Sequence, residues 1–346
     1  MKLSIERPIT LFIDEFQEFF KVNKSVYSDM QRIWDMYHTK AHINLIVCGS
    51  IFSMMTKIFK DKKEPLYNRQ TRFMSIKPFT PAVLKEIIAE YNPNYTAEDL
   101  LALYSFTGGV AKYVQLLVDA GATTKTKMLN HIIKADSVFL GEGKAILIEE
   151  FGKDYGVYFS ILSAIARGKT LRSEIEQIVG REIGGYLTKL EKEYEVITKN
   201  QPIFEKSSTK NVRYTIEDNF FTFWFRFIYK YNYMLEIENY DAVKTIINRD
   251  YETFSGKMLE RYFKRVLMES KAYTRIGSWW DRKGENEIDI VAENELNDEA
   301  VFIEVKRKEE NFDADALNEK VDVFTRATGK FKDYDVSQKG LSMTDM

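Results

Sequence analysis

The chain has 346 residues, of which 45% are hydrophobic and 29% charged, and its formal net charge at pH 7 is -2. This balance predicts a globular protein of two or three domains, and the charge excludes a uniformly basic coat for binding nucleic acid. Its lone cysteine, Cys48, excludes a disulfide framework, and since neither a signal peptide nor an apolar run of membrane length occurs, we expect a cytoplasmic protein without a membrane partner.

An apolar run followed by two acids stands near the start of the chain. Leu11, Phe12 and Ile13 predict a strand that is buried on both faces, as in a parallel sheet covered by helices. Asp14 and Glu15 follow at the C-terminal end of the strand, where open α/β sheets bind their ligands. We expect Asp14 to hold the Mg²⁺ of a bound nucleotide and Glu15 to polarise the attacking water. A solvated strand end is the alternative.

The next segments continue an α/β pattern. Residues 44–48 and 72–76 predict two more strands, and the helical stretches around 27–37 and 51–59 alternate with them. Alternation of strands and helices favours a parallel sheet.

Three polar side chains near these strands are candidates for contact with a nucleotide. Ser50 ends its strand at the same edge as Asp14 and Glu15, a position that suits a sensor of the γ-phosphate. Arg69 and Arg72 could reach a phosphate, or a nucleotide bound by a neighbouring subunit. Each of the three has a purely structural alternative. No G-x-x-x-x-G-K-[ST] loop occurs in the sequence, so the usual phosphate cradle is missing.

From Thr80 onward the pattern is helical. Thr80-Pro81 predicts a cap followed by proline in the first helical turn, and residues 96–99 match a capping box. A further helix is expected after Gly108-Gly109. A small helical bundle that follows a parallel sheet is the lid arrangement of AAA-type ATPases.

Residues 155–218 predict a winged helix-turn-helix. The elements are three helices, over 158–165, 173–179 and 182–194, and a hairpin of strands at 196–197 and 212–216. Such a module can place its third helix in the DNA major groove. Because acidic residues balance the basic ones in that helix, a spacer or protein-docking role stays open. The aromatic run 220–233 predicts a buried helix between two domains.

The C-terminal region pairs acidic and basic residues on two expected strands. Residues 287–292 and 300–306 predict these strands, and Glu304 and Lys306 lie two apart, so they project from one face. An aspartate facing a Glu-x-Lys is the arrangement of the PD-(D/E)XK nucleases. Asp289 and Glu304 would hold a divalent cation such as Mg²⁺, and Lys306 would orient the attacking water.

A helix over 255–270 precedes these strands. Its Glu260 lies just outside the apolar stripe, where it could complete the acidic site. Residues 255–283 hold eight Lys or Arg against three Asp or Glu, and residues 306–308 extend this local basic face, which suits a phosphate backbone. The alternative is a solvated hairpin whose charges carry no chemistry.

Taken together, the chain resembles the archaeal-type AAA ATPases, also called DEXX-box ATPases, that carry a C-terminal winged helix and a restriction-endonuclease-like domain. The resemblance rests on seven motifs. In the first half of the chain they are Leu-Phe-Ile-Asp-Glu-Phe at 11–16, Cys-Gly-Ser at 48–50, Leu-Tyr-Asn-Arg-Gln-Thr-Arg at 66–72 and Phe-Thr-Gly-Gly-Val at 106–110. In the second half they are Arg-Tyr-Thr-Ile-Glu-Asp-Asn-Phe-Phe-Thr-Phe-Trp-Phe-Arg-Phe at 213–227, Glu-Ile-Asp-Ile-Val-Ala at 287–292 and Ile-Glu-Val-Lys at 303–306. It implies ATP as a ligand, with Asp14 on the Mg²⁺, Glu15 as catalytic base and Ser50 as sensor. It also implies a nucleic-acid target, with DNA favoured.

The chain departs from this family pattern at its front. The family's first strand and phosphate loop should precede Met1, so we expect the chain to bind ATP weakly or not at all and to have lost ATP hydrolysis. The expected fold is a multidomain α/β protein. It comprises a truncated P-loop ATPase sheet with a helical lid over 1–150, a winged helix-turn-helix over 151–218 and a restriction-endonuclease-like domain over 219–346.

The function expected from this organisation is metal-dependent phosphodiester hydrolysis acting on nucleic acid. Two alternatives stay open. One is a scaffold that binds nucleic acid or protein without cutting it, and the other is a transcription regulator acting through the winged helix. A homo-oligomer is an open alternative for the assembly.

Overall fold

A computed structural model of the chain describes residues 1–49, 52–206 and 208–346. It divides into a first unit, made of residues 1–76, 145–155 and 192–194, and a second unit that contains the rest. None of the described helices is both long and apolar enough to cross a membrane. The expected division into three domains stays a prediction.

The first unit contains a parallel pair of strands and short helices. Its elements are α1 (Leu3–Glu6), β1 (Ile9–Ile13), α2 (Phe19–Val22), α3 (Val26–Tyr37), β2 (Ile43–Val47) and α4 (Phe52–Lys60). Strands β1 and β2 run parallel, with Leu11 opposite Leu45. The expected parallel α/β topology is therefore confirmed.

The faces of this sheet are more exposed than the sequence predicts. Leu11 is 45% exposed and Phe12 is 61% exposed, so the prediction of a strand buried on both faces was wrong. The reason is that the small core of the unit gathers around Phe16, beyond the end of β1, and includes Tyr27 and Ile58. Within the described residues, β1 pairs only with β2.

The prediction of a strand over residues 72–76 was also wrong. These residues form no regular secondary structure, and Ile76 is largely exposed. Apolar character alone does not make a strand, because a strand also needs a neighbour for its backbone hydrogen bonds, and no described strand pairs with this segment.

The helical part that follows agrees with the expected caps. Its helices are α5 (Pro81–Tyr91), α6 (Ala97–Thr107), α7 (Ala111–Asp119), α8 (Lys125–Ile132) and α9 (Val138–Phe151). The Thr80 hydroxyl accepts from the Val83 amide at 3.3 Å, and Pro81 occupies the first turn of α5. Thr96 and Asp99 cap α6 reciprocally. Both N-terminal signals in the sequence are thus confirmed.

Three helices and a hairpin occupy the middle of the chain. They are α10 (Tyr155–Ala166), α11 (Arg172–Val179), α12 (Gly184–Lys192), β3 (Ile197–Asn200) and β4 (Arg213–Ile216). Gly180 ends α11 in the left-handed region with φ of 74°, which a glycine adopts without strain. Strands β3 and β4 are antiparallel, with Ile197 opposite Ile216. The three helices and the hairpin expected here are present, and their assembly as a winged helix-turn-helix stays a prediction.

The aromatic segment that follows, residues 219–229, packs against several helices of the second unit. Helix α13 (Asn219–Phe223) continues into a π-helical turn over Trp224–Tyr229. Trp224 and Phe225 are both buried, as predicted. The segment packs on α6, α10 and α15 through ring contacts whose centroid distances are 4.7 Å for Phe106–Phe223, 5.3 Å for Phe159–Phe225 and 5.3 Å for Phe227–Phe254.

The C-terminal part is a mixed sheet covered by helices. After α14 (Asn232–Glu236) and α15 (Tyr240–Ser270) come β5 (Arg275–Trp280), β6 (Glu287–Asn294), β7 (Glu299–Val305), α16 (Ala314–Thr328) and β8 (Asp335–Leu341). The strand order is β5-β6-β7-β8, antiparallel except for the parallel pair β7 and β8, which α16 connects. Phe302 packs on Phe324 of α16, while α15 also packs against β5, β6 and β7.

The contact between α9 and the aromatic segment gives a matched test of packing. A Cβ at Gly143 would lie 2.5 Å from the Trp224 ring, whereas a Cβ at Gly141, on the same helix, would have no neighbour within 4 Å. We expect Gly143→Ala to lower the free energy of unfolding by about 1–3 kcal/mol through overpacking. Gly141→Ala should raise it by about 0.4–1 kcal/mol, because alanine has less freedom in the unfolded chain. Urea unfolding followed by tryptophan fluorescence measures both, and equal effects would contradict this packing.

Candidate functional site

The acidic pair of the first unit sits at the end of β1, as expected. Asp14 accepts hydrogen bonds from the Glu15 amide at 2.9 Å and from the Cys48 thiol, which follows β2, at 2.8 Å. The thiol contact lowers the pKa of Asp14, so this exposed carboxylate is ionised at neutral pH. Glu15 has φ of 47°, a left-handed conformation that is uncommon for a residue other than glycine and typical of functional turns.

Of the other expected nucleotide contacts, the structure describes Arg69 and Arg72 but not Ser50. Ser50 lies outside the described residues. Arg69 instead makes two hydrogen bonds of 2.8 Å to the Asp35 carboxylate of α3. Arg72 lies exposed in the irregular segment after it. The structure thus brings Asp14 and Glu15 together with Cys48, but it places Arg69 elsewhere, because a fork of two charge-assisted bonds already satisfies its guanidinium.

The second candidate site lies where β6 and β7 part. The ladder between these strands ends at the pair Ile290–Ile303, and the same register carried one residue further sets Asp289 opposite Glu304. There the Asp289 carboxylate, rather than a backbone carbonyl, accepts the Val305 amide at 2.8 Å. Side chains opposite one another in an antiparallel pair lie on the same face. Asp289 and Glu304 therefore face one region, as the sequence predicts.

Two lysines hold the Glu304 carboxylate. The Nζ atoms of Lys306 and Lys320 lie 2.8 and 2.9 Å from the same oxygen, Oε1. Glu304 is only 7% exposed, and its other oxygen, Oε2, is buried without a hydrogen-bond partner in the described structure. Lys320 was not among the residues predicted for this site, although its position three residues after the buried Leu317 of α16 indicates a side chain at the edge of an apolar face.

The charges of this cluster act on one another. Burial, together with the negative charges of Glu260 and Glu304, raises the pKa of Asp289 to about 7. Burial also raises the pKa of Glu260, although Lys257, 3.0 Å away on the same helix, opposes this. Burial is the largest single influence on Lys306 and lowers its pKa. The hydrogen bond to Glu304 and the negative charges of Glu304, Asp289 and Glu260 together outweigh burial, so the pKa of the lysine is raised. The predicted residues of this site thus share one electrostatic environment.

The donor set of this cluster fits a hard divalent cation. Among the described residues, no three or more His, Cys, Asp and Glu side chains are grouped as a metal site. Magnesium, however, is commonly held by one or two carboxylates, with water and substrate phosphate oxygens completing its shell. Asp289 and Glu304 supply two carboxylates, and the unpartnered Glu304 Oε2 is an oxygen that a cation would satisfy.

The expected basic face around this cluster is weaker than its composition indicates. Lys257, Arg265 and Arg275 are paired with Glu260, Glu269 and Glu293. The cation after Lys306, Arg307, pairs with Glu98 and is largely buried. A carboxylate that neutralises a cation removes it from contact with phosphate, so counting charges along the sequence overstated this surface.

Both candidate sites lie within segments of the chain that match described protein families. Residues 1–117, which include Asp14 and Glu15, match a family described as an ATPase domain predominantly from Archaea. Residues 224–319, which include the Asp289 cluster, match a family described as archaeal and bacterial proteins of unknown function. The uncharacterized protein MJECL04 of Methanocaldococcus jannaschii is 33% identical over 314 residues, which span 86% of this chain and 67% of that protein. The chain belongs to the same family as this archaeal protein. The resemblance to archaeal ATPases is thereby confirmed for the N-terminal domain.

The contact between Asp14 and Cys48 gives a test of the first site. The hydrogen bond to Asp14, together with burial, raises the pKa of the Cys48 thiol. We expect Asp14→Asn to lower that pKa and therefore to speed alkylation by iodoacetamide at pH 8, since the thiolate is the nucleophile. Cys48 is the only cysteine, so mass spectrometry reads the reaction directly. Asp29→Asn, on the exposed side of α3, is the control, and an unchanged rate in Asp14→Asn would show that the contact is absent in solution.

Proposed function

We propose that this member of an archaeal ATPase family hydrolyses phosphodiester bonds of nucleic acid, DNA being favoured, at the Asp289 cluster of its C-terminal sheet. The observation that supports this most is the convergence of Asp289, Glu304 and Lys306 where β6 and β7 part. A buried carboxylate held by two lysines and facing a second carboxylate is expensive to assemble, and perturbed pKa values of this kind gather at functional sites.

Each side chain of the cluster has a role in this chemistry. Asp289 and Glu304 would hold Mg²⁺, which when bound supplies positive charge to the phosphate and activates water. Lys306, which is hydrogen-bonded to Glu304, would orient the attacking water and offset negative charge on the phosphate. Glu260 stands on α15, where its negative charge raises the pKa of Asp289, and burial raises the pKa of Glu260 itself, so it could take a proton from the attacking water.

The middle module supports a nucleic-acid partner. We infer that α10, α11, α12 and the hairpin β3–β4 form a winged helix-turn-helix, since their order and the antiparallel register follow that pattern. Over residues 181–195, which include α12, three basic side chains are offset by four acidic ones, and this balance favours docking over sequence-specific reading. In the domain division that accompanies this proposal, residues 1–150 form the ATPase core and lid, and residues 219–346 form the nuclease-like domain.

The acidic pair of the first unit completes the proposal. Asp14 would contact the Mg²⁺ of ATP and Glu15 would act as catalytic base, as in related ATPases. Their place at the C-terminal edge of the parallel pair supports these roles. Since the chain contains no G-x-x-x-x-G-K-[ST] loop, weak ATP binding stays our expectation.

Substitution of Asp289 tests the proposed activity. We expect Asp289→Asn to lower Mg²⁺- or Mn²⁺-dependent cleavage by at least about 100-fold, on the scale of losing one electrostatic contact to a transition state. The fold should persist, because an asparagine oxygen still accepts from the Val305 amide. Asp322→Asn, on the exposed side of α16, is the matched control. Cleavage is measured on labelled duplex DNA, single-stranded DNA and RNA.

Two outcomes would contradict the proposal. If the unmodified chain cleaves none of these substrates with either metal, the nuclease assignment fails and the non-cutting scaffold takes its place. If Asp289→Asn cleaves as well as the unmodified chain, the activity belongs to another site or to a contaminant.

A further inference from the structure

Arg307 follows Lys306 directly, but its side chain turns into the protein. Its guanidinium donates to the Glu98 carboxylate at 2.5 Å and to the Ser255 hydroxyl, and it is 18% exposed. It also lies 5.5 Å from the centre of the Tyr251 ring. The end of β7 is therefore tied to two helices, α15 through Ser255 and α6 through Glu98.

The carboxylate of Glu98 is the centre of this network. It stands in the first turn of α6, where the helix dipole favours negative charge. Lys125 approaches its other oxygen at 3.3 Å and also lies 4.6 Å from the centre of the Tyr251 ring. Glu98 thus lies between two cations in a partly buried setting. Arg307 donates a charge-assisted hydrogen bond to Oε2, whereas Lys125 faces Oε1 as an ion pair without a hydrogen bond.

The position of Ser255 connects this network to the proposed site. Ser255 and Glu260 lie on the same helix, about 7.5 Å apart along its axis at 1.5 Å per residue. At the end of β7, the Val305 amide donates a hydrogen bond to the Asp289 carboxylate, and the Lys306 amide donates one to the Leu341 carbonyl at 2.9 Å. Arg307 therefore clamps the strand end that carries Glu304 and Lys306 against the helix that carries Glu260.

We propose that Arg307 is a positioning residue for the Asp289 cluster, and that Glu98 links it to the segment that matches the archaeal ATPase family. The inference rests on the proposed nuclease function and deepens it. The competing role, a direct contact with substrate phosphate, conflicts with the geometry, because two acceptors already occupy the fork and little of the guanidinium faces solvent. Lysine cannot reproduce that fork, so even Arg307→Lys should loosen the strand end.

Hydrogen exchange tests the positioning role without relying on activity. In Arg307→Ala we expect amides of the peptide spanning residues 302–308 to exchange at least 10-fold faster than in the unmodified chain, with a smaller increase in Arg307→Lys and in Glu98→Gln. Arg265→Ala removes a comparable arginine–glutamate pair on the exposed side of α15 and should leave this peptide unchanged. No change in Arg307→Ala, or an equal increase throughout the second unit in both Arg307 variants, would overturn the proposal.

Kinetics separate positioning from phosphate binding. If the unmodified chain cleaves nucleic acid, Arg307→Ala should lower kcat at least 10-fold with KM and its salt dependence unchanged, and Glu98→Gln should act in the same direction. A raised KM with a reduced salt slope would make Arg307 a substrate contact and overturn the proposal. If the unmodified chain does not cleave, the proposed function fails, while the exchange experiment still decides whether Arg307 holds the strand end.

Discussion

The packing of the aromatic segment 219–229 is the interaction on which the second unit depends. Phe223 and Phe227 both contact Phe254 of α15. The segment therefore packs against the helical turn of α15 that also contains Ser255. Each buried aromatic side chain removes about 150–250 Å² from water, worth several kcal/mol at about 25 cal/mol per Å². The same segment contacts α6 through Phe106. Apolar packing on this segment thus helps to hold helices α6 and α15 in place.

This apolar packing holds in place the helix, α15, that contributes Glu260 to the cluster of charged side chains at the sheet. Burial, together with the negative charges of Glu260 and Glu304, raises the pKa of Asp289 to about 7, so ionising this carboxyl beside them costs free energy. Lys306 and Lys320 offset part of this cost at Glu304. Replacement of such a buried ionic group by apolar side chains is often neutral or stabilising, so stability alone gives little reason to keep it. A catalytic or metal-binding role gives one.

Most of the helices and the acidic strands could be predicted from the sequence because local signals determine them. The capping residues at Thr80 and Thr96 located two helix starts, and the alternation of residues placed Glu304 and Lys306 on one face. These signals depend on neighbours within one turn or one pleat. The convergence of Asp289 with Glu304 followed from the same periodicity applied to two adjacent strands.

The features that the sequence did not predict depend on partners far along the chain. Whether Phe12 is exposed depends on which elements cover the sheet, and the pattern of residues along a strand does not reveal this. Lys320 reaches Glu304 only because the crossover helix α16 folds back on the sheet. Arg307 was interpreted as part of a basic run, although its partner Glu98 lies 209 residues away. In each case tertiary packing, not local propensity, determines the outcome.

The proposed nuclease chemistry requires Asp289 and Glu304 to form a divalent-cation site. Crystals of the unmodified chain grown with Mn²⁺ test this most directly, through an anomalous difference map calculated near the manganese absorption edge. We expect a peak at bonding distance from carboxylate oxygens of both Asp289 and Glu304, and no peak at that position in crystals of Glu304→Gln. A map of the unmodified chain with no peak at this position, at millimolar Mn²⁺, would contradict it.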